Sequence, residues 1–136
     1  MDIVSIQKLA FYLGIGLGLA GSAWGLSIAF QAAMGAGKQH FFGVLPLAVL
    51  PSTQGIYSLL AGLLKKDALA TDPSIGWILL MVVGLSTFLS AIYQGKVCAA
   101  GIRSIADGRN VLANGIVSAA MPETYAVLGF VSVFLF

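Results

Sequence analysis

The sequence predicts an all-α membrane protein with four transmembrane helices, and two observations lead to that prediction. Of its 136 residues, 59% are hydrophobic and only 9% are charged, whereas a soluble domain carries about 25% charged residues. The charges leave four long stretches with at most one charge each, residues 9–37, 39–64, 73–95 and 110–136. Each stretch is long enough to cross a hydrocarbon core of roughly 30 Å. The net charge of +2 and the single cysteine, Cys98, exclude a nucleic-acid-binding protein and a disulfide scaffold.

Each predicted helix ends at a polar turn. We expect helices over residues 3–34, 41–64, 74–105 and 111–136. Glycines break the chain in the short turns at 35–40 and 107–110, and a longer polar connection at 65–73 separates two halves of nearly equal size. The sequence therefore predicts two helical hairpins as its domains, residues 1–66 and residues 67–136.

The two halves resemble copies of one another. An offset of 71 residues aligns three pairs, Pro51 with Pro122, Thr53 with Thr124, and Ile56 with Val127. In that register Ser52 takes the place of Glu123. We interpret the chain as a duplicated helical hairpin that has kept its carboxylate in one copy only.

Small residues distinguish the first helix of each half from the second. In the first helix, Gly14 and Gly18 have the small-xxx-small spacing, as do Gly21 and Gly25. This spacing allows helix backbones to approach closely in a membrane. We expect helices 1 and 3 in a crowded interior, and helices 2 and 4, with their bulkier side chains, on a surface that faces lipid.

Glu123 lies near the middle of the last apolar stretch, which places its carboxyl group close to the bilayer midplane. A charged side chain there costs at least about 2.5–3.5 kcal/mol, so the carboxyl must be protonated, paired or bound to a cation. Such a residue indicates an ion or proton pathway. The plainer alternative is a protonated carboxyl group that forms a hydrogen bond with one neighbouring helix.

Polar residues at the same depth favour a cation site. Leu50, Thr53, Gln54 and Tyr57 follow i, i+3, i+4, i+7 spacing and form one stripe on helix 2, and helix 3 supplies Gln94. Their oxygens suit an alkali cation better than zinc or copper. Taken singly, each of these residues is more often a hydrogen bond between helices than a ligand. Together beside the only acid at this depth, they predict a binding site.

Two prolines are expected to modify the backbone around this site. Proline has no N–H and collides with the preceding turn, so Pro51 should free carbonyl oxygens on helix 2. Unpaired carbonyls are tolerated at membrane depth only where a partner such as an ion satisfies them. Pro122 should likewise distort the turn beside Glu123.

The segments at 50–57, 94–101 and 119–130 resemble the rotor-ring proteolipid of bacterial V-type ATPases, the c-type K subunit. The resemblance extends over essentially the whole chain. Sodium-carrying members of that family hold Na⁺ with a glutamate, two glutamines, a threonine and a backbone carbonyl, and a tyrosine supports the carboxylate. The resemblance implies that in this chain those roles fall to Glu123, Gln94, Gln54, Thr53, the backbone carbonyl of Leu50 and Tyr57. Pro122 and Ser52 depart from the residues usual in those members.

The resemblance also implies partners, a location and a mechanism. Identical subunits would form a homo-oligomeric ring in the bacterial plasma membrane, turning against a stator a-type subunit with an essential arginine. Central-stalk subunits and a separate ATPase head would drive it, so this chain would have no catalytic site of its own and no nucleic-acid partner. Each bound Na⁺ would neutralise Glu123 while the site faces lipid.

Three other functions remain open at this point. The same rotor could carry H⁺, because protonation also neutralises Glu123. A small four-helix multidrug exporter would carry its acid in the first helix and lack the hairpin duplication. A structural pore or membrane-fusion protein would not need the carboxylate at all.

Overall fold

A computed structural model describes residues 2–135, and within that range every regular element is helical. The helices are α1 (Ile3–Gly35), α2 (Lys38–Ala48), α3 (Thr53–Lys65), α4 (Ala68–Thr71), α5 (Ile75–Ala106) and α6 (Leu112–Leu135). A 3₁₀ turn over Leu50–Ser52 joins α2 to α3, and another forms the end of α6 over Ser132–Leu135.

Three of the described helices, α1, α5 and α6, are long and apolar enough to cross a membrane. The consecutive helices α2 and α3 meet at an angle of 41° and provide a fourth crossing if the pair counts as one span. The prediction of one continuous helix over 41–64 is therefore wrong in detail, since the helix starts at Lys38 and is interrupted at Leu50–Ser52. The predicted end of the last helix, residue 136, falls outside the described residues.

Close packing between α1 and α5 depends on the glycines of α1. A methyl group added at Gly14 would lie 2.5 Å from the carbonyl oxygen of Leu79, and one at Gly21 would lie 2.6 Å from the Cα atom of Phe88. At Gly16, on another face of the helix, an added methyl group would meet nothing within 4 Å. The expectation that the spaced glycines permit close helix contact is confirmed.

The start of α5 contains two local features. Asp72 accepts hydrogen bonds from the Ser74 hydroxyl, at 2.6 Å, and from the Ser74 N–H, at 3.0 Å, which hold the pKa of this carboxyl below its usual range. Within the helix, residues Leu79–Gly84 form a π-helical stretch that the sequence does not predict. At the end of this stretch the backbones of α5 and α1 are in contact, at Gly84 and Gly14.

Two apolar clusters enclose a polar layer at mid-height. One cluster contains Ala33, Leu47, Cys98, Ile102 and Ala119, among others. The other includes Phe11, Ala61, Leu79, Val83 and Val133. Between them lie the buried polar side chains Ser22, Gln54, Ser58, Thr87, Ser90 and Gln94. Among the described residues, every buried side-chain nitrogen and oxygen has a hydrogen-bond partner, as an apolar environment requires.

Candidate ion-binding site

The break between α2 and α3 positions the first turn of α3. Pro51 has no N–H to donate, and the chain tightens here into the 3₁₀ turn. In the first turn of α3, the N–H of Gly55 donates to the Ser22 hydroxyl oxygen of α1, at 2.7 Å. The Leu50 carbonyl accepts the N–H of Thr53, so this carbonyl and the Thr53 side chain lie side by side at the start of α3.

The Glu123 carboxylate accepts hydrogen bonds from two neighbouring helices. The Thr53 hydroxyl donates to Oε1 at 2.8 Å and the Tyr57 hydroxyl to the same oxygen at 3.1 Å. From α5, Gln94 Nε2 donates to Oε2 at 3.0 Å. The Tyr57 ring is stacked on Phe130, with 5.8 Å between the ring centroids. The carboxylate is half-buried and engaged on both oxygens.

Gln54 and Gln94 form the fully buried side of the site. Gln54 Nε2 donates to Gln94 Oε1 at 2.6 Å and to the Ser90 hydroxyl oxygen at 3.2 Å. Gln94 Nε2 donates to the Ala119 carbonyl at 3.0 Å as well as to Glu123. This network joins α3, α5 and α6 at one level.

Oxygen atoms from three other residues lie around the Thr53 hydroxyl. Its Oγ1 lies 2.8 Å from Glu123 Oε1, 3.3 Å from the Leu50 carbonyl oxygen and 3.3 Å from Gln54 Oε1. A hydroxyl has one hydrogen to donate, and the shortest contact assigns it to Glu123. The other two oxygens keep lone pairs directed at this point, which is chemistry suited to a hard cation.

The structure brings the six predicted site residues into one connected network. The α6 helix runs through Pro122 without a break, so the distortion expected at this turn does not interrupt the helix. The carbonyls of Pro122 and Ala119 on this turn accept side-chain hydrogen bonds from Ser90 and Gln94 of α5.

Sequence reasoning missed two serines in this network, Ser22 and Ser90. Serine is common in membrane helices, and nothing in the spacing of Ser22 marks it. Ser90 precedes Gln94 by four residues and thus shares its helix face, which is the one signal that points to it.

Comparison with known proteins identifies the class of protein. The family of the c-type subunit of ATP synthase matches residues 9–64 and 79–136. The chain is 38% identical over 143 residues to V-type sodium ATPase subunit K of Enterococcus hirae, covering 98% of this chain and 87% of that protein. It is 30% identical over 122 residues to A-type ATP synthase subunit K of Methanocaldococcus jannaschii, covering 85% of this chain and 55% of that protein.

The chain therefore belongs to the family of ATP synthase c-type subunits. This result confirms the resemblance to rotor-ring proteolipids that the site motifs indicate. Family membership and the long apolar helices together make the chain an integral membrane protein.

Proposed function

We propose that this chain is the membrane rotor subunit of a V-type ATPase and carries Na⁺ on Glu123 during ATP-driven rotation. The observation that carries the proposal is the convergence of oxygens from Leu50, Thr53, Gln54 and Glu123 at a single point of the polar layer. The name of the Enterococcus hirae relative, V-type sodium ATPase subunit K, supports the choice of cation.

The physical reason for a cation here is the electrostatics of the membrane. A bare carboxylate at this depth is costly unless its charge is cancelled. A cation held by Glu123, Thr53, Gln54 and the Leu50 carbonyl would make the site neutral. Gln94, expected as a further ligand, donates its amide N–H to the carboxylate in this structure and holds it in place together with Tyr57. A neutral site can face lipid, and an ionised one cannot do so without a partner.

The proposed mechanism follows from this difference between a neutral site, which can face lipid, and an ionised site, which needs a partner. In the proposed cycle, the loaded site turns through lipid until it meets the a-type subunit of the stator. An arginine there competes for the Glu123 carboxylate and releases the ion into an access path. Central-stalk subunits transmit the torque from a separate ATPase head, so the chain itself carries no catalytic site. The proposed location is the bacterial plasma membrane.

The proposed architecture is two duplicated helical hairpins, with four spans in each copy of the chain. Buried positions support it: the buried residues of α6 in the described range are Gly115, Ala119, Ala126, Gly129 and Val133. Each has a buried counterpart 71 residues earlier, at Val44, Ala48, Gly55, Ser58 and Gly62. The family matches at 9–64 and 79–136, one in each half, also support this division.

Identical subunits are the proposed neighbours in the membrane. Beside Glu123, the groove between α5 and α6 is apolar and open, and its exposed side chains include Leu89, Tyr93, Met121 and Tyr125. A second copy of the chain packed here would shield the half-buried carboxylate from fatty acyl chains. The completed assembly would be a homo-oligomeric ring.

A multidrug exporter is disfavoured by two observations. The chain belongs to the family of ATP synthase c-type subunits, and its membrane acid lies in α6 rather than in the first helix. The H⁺-carrying rotor remains the alternative outcome of the test below, because a proton neutralises Glu123 as a sodium ion does.

Carbodiimide labelling of Glu123 in the whole complex tests the proposed function. The reagent modifies a protonated carboxyl group, so a bound Na⁺ should protect it at constant pH. We expect Na⁺ to slow labelling in a saturable manner while choline at equal ionic strength does not. Labelling that depends on pH but not on Na⁺ would overturn the sodium assignment in favour of H⁺.

A further inference from the structure

The Ser90 hydroxyl connects three helices at the level of the site. Ser90 is only 5% exposed and lies on α5, one turn before Gln94. Its Oγ is 2.8 Å from the Pro122 carbonyl oxygen of α6 and 3.2 Å from Gln54 Nε2 of α3. The two preceding hydroxyl residues of α5, Ser86 and Thr87, bond to carbonyls of their own helix instead.

The direction of these hydrogen bonds follows from the partners. The Pro122 carbonyl can only accept, so Ser90 must donate its single hydroxyl hydrogen to it. Toward Gln54 the Ser90 oxygen then offers only lone pairs. The part of the Gln54 amide that faces Ser90 must therefore be its nitrogen.

The Ala119 carbonyl fixes the Gln94 amide by the same reasoning. Because this carbonyl can only accept, Gln94 turns its nitrogen toward it and its Oε1 toward Gln54. Both hydrogens of the Gln54 nitrogen are then used, one by Ser90 and one by Gln94. Gln54 Oε1 is left facing Thr53, where the oxygens of Leu50 and Glu123 also lie.

We infer that Ser90 is a positioning residue, which orients the Gln54 amide with its oxygen toward the transported cation. The inference rests on the proposed function, since it assigns Ser90 a role at that same site. Ser90 and Gln94 Oε1 are the two partners that hold the Gln54 nitrogen, so loss of the Ser90 hydroxyl removes one of them. The Gln54 amide would then turn over at a lower cost and present its N–H₂ group, which repels a cation. Ser90 would thus control affinity for Na⁺ without contacting the ion.

The test measures the Na⁺ concentration that halves carbodiimide labelling of Glu123 at fixed pH, in the intact complex. We expect Ser90→Ala to raise that concentration about fivefold, the effect of one net hydrogen bond. Ser90→Thr, which keeps the hydroxyl, should stay within about twofold of the unsubstituted protein. The matched control Ser86→Ala removes a hydroxyl that bonds only within α5 and should change nothing.

A second arm separates positioning from general stability. Because Ser90 acts through Gln54, Ser90→Ala should have no further effect in a protein that already carries Gln54→Ala. Labelling in the absence of Na⁺ should proceed at the same rate in all variants. If Ser90→Ala does not assemble, Ser90→Cys takes its place, since a thiol is of similar size and a much weaker donor.

Three results would overturn the role inferred for Ser90, and one of them would also overturn the proposed function. Unchanged Na⁺ protection in Ser90→Ala, with normal protection of the unsubstituted complex, would overturn the inference alone. Additive effects of Ser90→Ala and Gln54→Ala would do the same, because they would indicate a structural role. Lack of Na⁺ protection in the unsubstituted complex would overturn the proposed function, and this inference with it.

Discussion

The turns around Pro51 and Pro122 are alike in sequence and different in structure. Each proline is followed two residues later by a threonine, and the two prolines lie 71 residues apart. At Pro51 the helix breaks into a 3₁₀ turn, whereas α6 continues through Pro122. The first turn supplies oxygens to the candidate site, and the second supplies the acid.

The neighbouring helices account for this difference. Beside Pro51, Ser22 of α1 accepts the Gly55 N–H at 2.7 Å, so a donor released by the broken helix is satisfied. Beside Pro122, Ser90 and Gln94 of α5 donate to helix carbonyls, which are satisfied while the helix stays intact. Of these two turns, the one that breaks is therefore the one beside which a hydroxyl oxygen of another helix accepts a backbone N–H, as the apolar membrane interior requires.

The largest effect on transport is expected from replacing the acid, Glu123, which lies beside Pro122 in the turn where α6 stays continuous. Glu123→Gln should abolish coupled Na⁺ transport by the reconstituted complex, because an amide cannot balance the charge of the cation. Glu123→Asp, which keeps the charge on a shorter side chain, is the control and should retain part of the activity. Undiminished transport by Glu123→Gln would instead favour a structural pore or membrane-fusion protein.

The two threonines provide a matched pair for the broken turn. Thr53→Val should raise the Na⁺ concentration for half-protection of Glu123 about tenfold to a hundredfold, since hydrogen bonds to charged groups contribute about 1.5–3 kcal/mol. Thr124→Val should leave it unchanged, because Thr124 is exposed and its hydroxyl bonds to the Met121 carbonyl of its own helix. Equal effects of the two substitutions would contradict the proposed division between the turns.

Replacing the two prolines should change Na⁺ affinity less than replacing Thr53. In Pro51→Ala the chain regains an N–H and can straighten, which would move the Leu50 carbonyl and Thr53 away from Glu123. We expect a loss of Na⁺ affinity of about fivefold, against less than about twofold for Pro122→Ala, where the helix is already continuous. The labelling assay measures both, and a larger loss in Pro122→Ala would reverse the comparison.

The smallest effect is expected at Tyr57. Tyr57→Phe removes a hydrogen bond of 3.1 Å to Glu123 while the ring can remain stacked on Phe130. We expect Na⁺ affinity to fall about threefold, less than in Thr53→Val, because this hydrogen bond is longer than that of Thr53 and the Tyr57 hydroxyl is not a proposed ligand of the ion. Tyr12→Phe, at an exposed position on α1 away from the site, is the control and should have no effect. A loss of Na⁺ affinity in Tyr57→Phe as large as that in Thr53→Val would indicate that Tyr57 contributes to Na⁺ binding as much as a proposed ligand does.

Apolar length and charge spacing were sufficient to predict most of the fold. The predicted boundaries of the first and third helices differ by at most one residue at each end from α1 (Ile3–Gly35) and α5 (Ile75–Ala106). The π-helical stretch at Leu79–Gly84 could not be predicted, since its residues are as apolar as their neighbours. It lies where two backbones meet, which is a property of packing between helices and not of the local sequence.

The site could be predicted in composition but not in connectivity. The stripe from Leu50 to Tyr57 follows from helical spacing, and the expected depth of the acid follows from its position in the last apolar stretch. The sequence could not tell that one proline turn breaks and the other does not, because the decisive groups, Ser22 and Ser90, come from other helices. Which amide atom of Gln54 faces the acid is likewise decided by partners distant in sequence.

The most direct test of the central claim is an experimental structure of the assembled ring at saturating Na⁺. We expect ion density bounded by the Glu123 carboxylate, the Thr53 hydroxyl and the Leu50 carbonyl, and we expect it to be lost when Na⁺ is withdrawn. A carboxyl group that keeps the same hydrogen bonds in both conditions, with no ion beside it, would rule out the proposed Na⁺ site.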